Sequence, residues 1–321
     1  MEFEKVLEQI GQIGILPVVK IEAREQAAPL AECLVRAGFP AVEITFRTGA
    51  CTEAIREIKK KVPGVLVGAG TVETEKQARE AMEAGAEFLI SPGWNRTLAR
   101  AFRDLPYIPG CQTPGEVQEA REMGYSTVKI FPAECCGGIS YLKTLSSVFS
   151  GMKFIPTGGI TAETFSGYLK LPSVLACGGS FMAPEKLIKE ENFAAIGERC
   201  RNAAEKLFGF HIAHVGINCE GREEAAGIAQ VLQEWFGFEP AENPSSIFAG
   251  TSVEIMKEPY LGAKGHIAIA ACFPERAKSY LERKGVRFRE ESAVYREGGE
   301  LQAIYFEREI GGFAVHLVRK A

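Results

Sequence analysis

From Leu16 to Ser180 one unit recurs: a short apolar run with β-branched residues, an exit rich in Gly, Pro or Thr, then an amphipathic stretch of helical period. The runs are LPVVKI from 16, AVEITFR from 41, VLVGAGTV from 65, FLISPG from 88, YIPGCQT from 107, TVKIFPAE from 127, FIPTGG from 154 and VLACGGS from 174. Strands that alternate with helices pair in parallel through right-handed crossovers, and eight such units suit closure into a (β/α)8 TIM barrel. An open doubly wound sheet is the alternative, but it more often carries G-x-G-x-x-G after its first strand, and none stands here.

After GGS, the segment EENFAAIGERCRNAAEKLFG reads as one more amphipathic helix with Gly209 as its stop. The texture then changes. HIAHVGINCEGREEAAGIAQVLQEWFG reads as a strand and a helix, short strands follow, and GHIAIAACFPERAKSYLERKG repeats the pattern. Two copies of strand, helix and short strands predict a smaller α+β domain with internal duplication. The expected division is a first domain over 1–208 and a second over 209–321.

With 46% apolar and 24% charged residues, the chain belongs to the globular class. A net charge of -4 without long runs of like charge gives no basic footprint for nucleic acid. No apolar stretch is long enough to span a membrane, and MEFEKVLEQIGQIG lacks the pattern of a secretory leader. The expectation is a cytoplasmic protein with neither nucleic-acid nor membrane partners. Nine cysteines without a C-x-x-C pair are expected to be reduced, mostly buried thiols.

In a barrel the chemistry sits at the C-terminal strand ends. Period-two alternation in AVEITFR puts Glu43, Thr45 and Arg47 on one face, expected to point inward, with Val42, Ile44 and Phe46 toward the helices. Lys129 lies between Val128 and Ile130 in a strand buried on both faces. A lysine so placed loses hydration, which favours the neutral amine, and a neutral amine can attack a ketone to form a Schiff base. A buried ion pair with Glu43 is the structural alternative. Thr157-Gly158-Gly159 and Gly178-Gly179-Ser180 end the seventh and eighth strands, where backbone N–H groups of barrels commonly hold phosphate.

The residues VEITFRT, GAGTV, ISPG, IPGCQTPGE, VKIFPAE, PTGGI and CGGS, in this order, resemble the 2-keto-3-deoxy-6-phosphogluconate / 4-hydroxy-2-oxoglutarate aldolase family over about residues 10 to 205. The resemblance implies a class I aldehyde-lyase that needs no metal or other cofactor and takes a small-molecule oxo acid. It implies that Lys129 forms the Schiff base with pyruvate and that Glu43 acts as general acid and base. Arg47 and Thr71 would contact the pyruvate carboxylate and neighbouring oxygens, and Pro92 would shape the site wall. Thr157, Gly158, Gly159, Gly179 and Ser180 would line the phosphate end. A homo-oligomer, a trimer, is implied as well. Lys20, near the end of the first strand, is either a further substrate contact or a solvated lysine, the latter being preferred. Cys135 and Cys136 are read as thiols filling small-residue positions.

In the second domain His214, Glu254, His266 and His316 lie in expected strands with small neighbours such as Gly216, Ala268 and Ala270, and this donor set suits a divalent transition metal. His211, three residues before His214, is expected on the opposite strand face. The region is similar to the vicinal-oxygen-chelate, or glyoxalase-type, fold of two βαβββ modules, whose members usually supply two histidines and two Glu/Gln ligands; His316 departs from that set. A module that keeps the fold and serves packing is the structural alternative. A competing function would be a metal-dependent isomerase or lyase acting through this domain, with the barrel as a ligand-binding platform.

Overall fold

The structure, a computed structural model, describes residues 2–320. The chain divides into two compact units, Met1–Lys206 and Leu207–Ala321.

The first unit is an α/β domain around a curled parallel sheet. Its strands are β1 (Ile15–Val19), β2 (Ala41–Thr45), β3 (Leu66–Gly70), β4 (Phe88–Ile90), β5 (Tyr107–Ile108), β6 (Gly110–Cys111), β7 (Thr127–Ile130), β8 (Lys153–Pro156) and β9 (Cys177–Gly179). Six run in the order β5-β4-β3-β2-β1-β9 and three in the order β6-β7-β8. The fifth apolar run is thus split at Pro109, which has no N–H to give to a ladder; its carbonyl still accepts from Lys129 N at 2.9 Å. Isolated parallel bridges, Phe154↔Val174 and Thr157↔Gly178, link β8 to the segment that carries β9. Apart from Lys153, every residue of these strands is buried, as a parallel sheet covered on both faces requires. Local signals start the intervening helices: Thr74 with Gln77 and Thr113 with Glu116 form capping boxes at Glu75–Glu83 and Pro114–Glu122.

The second unit is a mixed sheet of eight strands: β10 (His211–Asn218), β11 (Pro240–Glu242), β12 (Ser246–Ala249), β13 (Val253–Met256), β14 (His266–Ala271), β15 (Val294–Tyr295), β16 (Leu301–Tyr305) and β17 (Ala314–Arg319), in the order β11-β12-β13-β10-β14-β17-β16-β15. One helix, Arg222–Phe236, follows β10 and another, Pro274–Arg283, follows β14. Ala225 and Ala229 of the first helix pack with Ile247 and Ile255, so that face of the sheet is apolar. Alternation sends Glu254 and Ser246 to the other face.

Two expectations are corrected here. The alternation read through AVEITFR stops at Thr45, and Arg47 stands exposed in the turn that follows β2. Phe46 N still donates to Gly70 O at 2.9 Å, after which the chain leaves the sheet. In β10 the register against β14 shifts between Ile212 and His214, pairing His211 with Ala270 and His214 with Ala268. The extra residue brings both histidines to one face, contrary to the three-residue spacing. His211 is exposed there, its Nδ1 2.8 Å from Gly209 O.

Candidate active site

Glu43 on β2 and Lys129 on β7 converge on the interior of the curled sheet. Lys129 Nζ donates to Glu43 Oε1 at 3.0 Å, and the two residues are 5% and 1% exposed. Among the described residues Glu43 Oε2 is buried with no hydrogen-bond partner. An unsatisfied carboxylate oxygen is costly to bury, and it marks a position where a substrate or water proton would be accepted. Space for the carboxylate comes from the neighbouring strand: Glu43 registers with Gly68 and Thr45 with Gly70, and a Cβ on Gly70 would lie 2.1 Å from Glu43 Oε1. Thr45 Oγ1 donates to Val19 O at 3.0 Å and ties β2 to β1.

The other expected residues stand in the exits of the strands. Thr71, directly after β3, has φ 55, a left-handed conformation that a β-branched residue adopts only when its surroundings impose it. Pro92 follows Ser91, whose Oγ accepts from Tyr107 Oη at 2.7 Å and from Gly110 N at 2.9 Å, fixing the exit of β4 against β5 and β6. Thr157 is buried at the end of β8, and a Cβ on Gly178 would meet its Oγ1 at 2.3 Å. Gly158 and Gly159, with φ 97 and 82, require glycine, and Ser180 is exposed one residue beyond β9. Lys20, directly after β1, is partly exposed and ion-paired. Its Nζ donates to Glu185 at 2.9 Å and Glu22 at 3.1 Å, and Lys189 pairs with the same two carboxylates. Bonding to Glu185 and then Glu22 raises the Lys20 pKa. Cys135 is exposed and Cys136 half-buried; six of the other seven thiols are buried.

A second cluster occupies the polar face of the mixed sheet. Register carries it: Gly216 of β10 lies opposite Glu254 on one side and His266 on the other, while Ala268 lies opposite His214 and His316. Small residues leave room for the rings, since a Cβ on Gly216 would fall 2.0 Å from His266 Cε1. One ligand atom from each of His214, His266 and His316 can be chosen so that all lie within 4.8 Å of one another. Glu254 Oε2 lies 3.2 Å from His214 Nε2 and 3.1 Å from His266 Nε2. Among the described residues His316 Nδ1 and Nε2 and His266 Nδ1 are buried without hydrogen-bond partners, an uncommon state for polar atoms in a core. Burial, then the His266 and His214 rings, push His316 down to about 3, so it stands neutral with a free lone pair. Burial opposes the Glu254 charge, but His214, His266 and Ser246 outweigh it and hold the carboxyl well below its usual range.

Residues not singled out from sequence complete this cluster. Ser246, fully buried, donates to Glu254 Oε1 at 2.7 Å and accepts from Asn243 Nδ2 at 2.8 Å. Tyr305 stacks on His316 with centroids 4.5 Å apart. The Asn243-Pro-Ser-Ser turn was the available signal for the first two: Asn243 Oδ1 caps Ser245 N and Ser246 N.

Comparisons with known proteins bear on the first unit. Residues 6–199 match the family model described as KDPG and KHG aldolase. The chain is 41% identical over 193 residues to the 2-dehydro-3-deoxy-phosphogluconate aldolase of Treponema pallidum, covering 60% of this chain and 92% of that protein. It is 39% identical over 193 residues to the KHG/KDPG aldolase of Escherichia coli K12, covering 60% and 91%. Among solved structures it is similar to the KDPG aldolase from Legionella pneumophila with pyruvate captured as a covalent carbinolamine, at 40% identity and a TM-score of 0.58, covering 61% of this chain and 96% of that one. With the family model spanning more than half its length and relatives matched over nine-tenths of theirs, the chain belongs to the KDPG and KHG aldolase family.

Proposed function

We propose that this protein is a Schiff-base aldolase that cleaves 2-keto-3-deoxy-6-phosphogluconate to pyruvate and glyceraldehyde 3-phosphate, and 4-hydroxy-2-oxoglutarate to pyruvate and glyoxylate. The observation that carries the reading is the buried Lys129–Glu43 contact with its unpartnered Glu43 Oε2, inside a unit of this aldolase family. In this reading Glu43 takes the ammonium proton and the Lys129 amine adds to the C2 ketone. Glu43 then protonates the carbinolamine hydroxyl, which leaves as water. The resulting iminium accepts the electrons of the C3–C4 bond as Glu43 removes the C4 hydroxyl proton, releasing the aldehyde. The same carboxyl returns a proton to the enamine C3, and hydrolysis frees pyruvate and the amine. Arg47 and Thr71 would hold the carboxylate of the oxo acid, Pro92 its wall, and Thr157, Gly158, Gly159, Gly179 and Ser180 its phosphate.

In the same proposal the curled sheet closes as a (β/α)8 barrel, supported by the bridges from β8 to the β9 segment, and the domains run 1–208 and 209–321. The enzyme would work in the cytoplasm as a trimer; among the described residues no helix is long and apolar enough to cross a membrane. The test is pyruvate release from each substrate, followed through lactate dehydrogenase and NADH. Release from one or both is expected, and release from neither would sink the assignment.

A second reading concerns Leu207–Ala321, which we read as two βαβββ modules of glyoxalase type. The buried, unpartnered nitrogens of His316 favour a divalent metal held by His214, Glu254, His266 and His316. When bound, such an ion would polarise an oxygen of a ligand as a Lewis acid. The barrel as a mere ligand platform is not favoured, because Lys129 and Glu43 meet in it. Metal content of the purified chain after mild dialysis, in wild type and His266→Ala, tests this reading: near one equivalent lost in the variant supports it, and a native protein that takes up no metal defeats it.

A further inference from the structure

The loop proposed to hold phosphate has a carboxylate against it. Glu134, three residues after Phe131 in the exit of β7, donates its backbone N–H to Gly158 O at 3.1 Å, and Ala133 N donates to Thr157 O at 2.8 Å. A Cβ on Gly159 would lie 2.6 Å from Glu134 Cβ and 2.7 Å from its Cγ, so the aliphatic stem of Glu134 lies on Gly159 itself. An anion site with an exposed acid packed on it is self-defeating unless the acid is turned aside. The structure supplies the restraint. Tyr168, fully buried on the helix Phe165–Leu169, donates its hydroxyl to Glu134 Oε1 at 2.7 Å. The other oxygen lies over Gly138, where a Cβ would come within 3.3 Å of Glu134 Oε2 and 3.2 Å of Tyr168 Oη. Backbone and stem are pinned, so only the carboxylate is free to swing if this bond is lost.

We propose that Tyr168 tethers the Glu134 carboxylate away from the Gly158–Gly159 N–H groups, and that this tether sets the preference for a phosphorylated over a non-phosphorylated oxo acid. The inference rests on the aldolase reading. Tyr168 acts as a positioning residue through Glu134. Released, the carboxylate competes for the N–H groups that would bind phosphate and repels the dianion. A substrate that ends in a carboxylate, smaller and singly charged at that end, depends on those groups less.

The experiment uses the full chain and both substrates, with Tyr168→Phe, Glu134→Gln and the double variant. Tyr168→Phe should raise KM for 2-keto-3-deoxy-6-phosphogluconate about tenfold, the usual scale of a hydrogen bond to a charged group, and leave kcat and the KM for 4-hydroxy-2-oxoglutarate within about twofold. Adding Glu134→Gln removes the charge and should restore the KM for the phosphorylated substrate. Equal losses on both substrates, or a double variant no better than Tyr168→Phe, would overturn the tether and leave a purely structural hydroxyl. Should Tyr168→Phe not fold, Glu134→Gln alone decides: its KM for the phosphorylated substrate must hold or fall, and a rise contradicts the proposal. A wild type that cleaves neither substrate, or whose KM for the phosphorylated one is unchanged by added inorganic phosphate, refutes the underlying site rather than the tether.

Discussion

Lys129 Nζ meets Glu43 Oε1 at 3.0 Å although the two residues stand 86 positions apart, on strands that share no hydrogen bond. Curling of the sheet closes that distance. Only one Glu43 oxygen is satisfied by the lysine, so the carboxylate can hold the amine and face a substrate at once.

Glu43→Gln should keep the fold and the contact with Lys129 while removing the proton acceptor. A loss of about 10²–10⁴-fold in kcat is expected, the range of general acid–base catalysis, measured by pyruvate release. Retention of wild-type kcat would show that the protons move elsewhere.

Gly70→Ala tests whether the glycine strand makes the space. The added methyl would fall 2.1 Å from Glu43 Oε1, so the carboxylate must shift. Overpacking should cost about 1–3 kcal/mol in stability, and kcat should fall further than a change of that size explains. Full activity in a folded Gly70→Ala chain would mean that Glu43 has more freedom than its burial indicates.

Much of this site was legible before the fold. The eight apolar runs set the strands, and the place of Lys129 within a strand and of Thr157 and Ser180 at strand exits followed from them. What periodicity could not see was where a strand stops or slips. Arg47 left the sheet after Thr45, and an extra residue near Ala213 put His211 on the His214 face. Nor do local patterns reveal a partner distant in sequence: Tyr168 meets Glu134 from 34 positions away through tertiary packing, and its hydroxyl belongs to no motif.

In the second unit, Ser246→Ala should weaken metal binding about 10–100-fold, because it releases the Glu254 oxygen that Ser246 holds and leaves the ligand set in place. Gly216→Ala should abolish binding outright, its methyl landing 2.0 Å from the His266 ring. Chelator competition with Zn²⁺ or Co²⁺ reads both. Unchanged affinities would place the ion, if any, away from these residues.

Acid should destabilise the metal-free second unit. His316 is neutral when folded, down at about 3 against an ordinary 6.5, so between these values the unfolded chain binds a proton that the folded one refuses. Its contribution is whole above 6.5 and fades as pH falls toward 3. Glu254, also held low, loses its contribution in the same direction below the ordinary carboxylate range. Denaturant unfolding followed by Trp235 fluorescence in a Trp94→Phe background should show stability falling with acid, with a smaller slope in His316→Leu. Equal slopes would contradict the assignment to His316.

The most direct test of the central claim is reduction with borohydride in the presence of pyruvate, followed by intact mass and peptide mapping. One reduced pyruvate adduct per chain, carried on the peptide containing Lys129 and absent from Lys129→Ala, is the predicted result. No adduct, or an adduct that persists in Lys129→Ala, would contradict it.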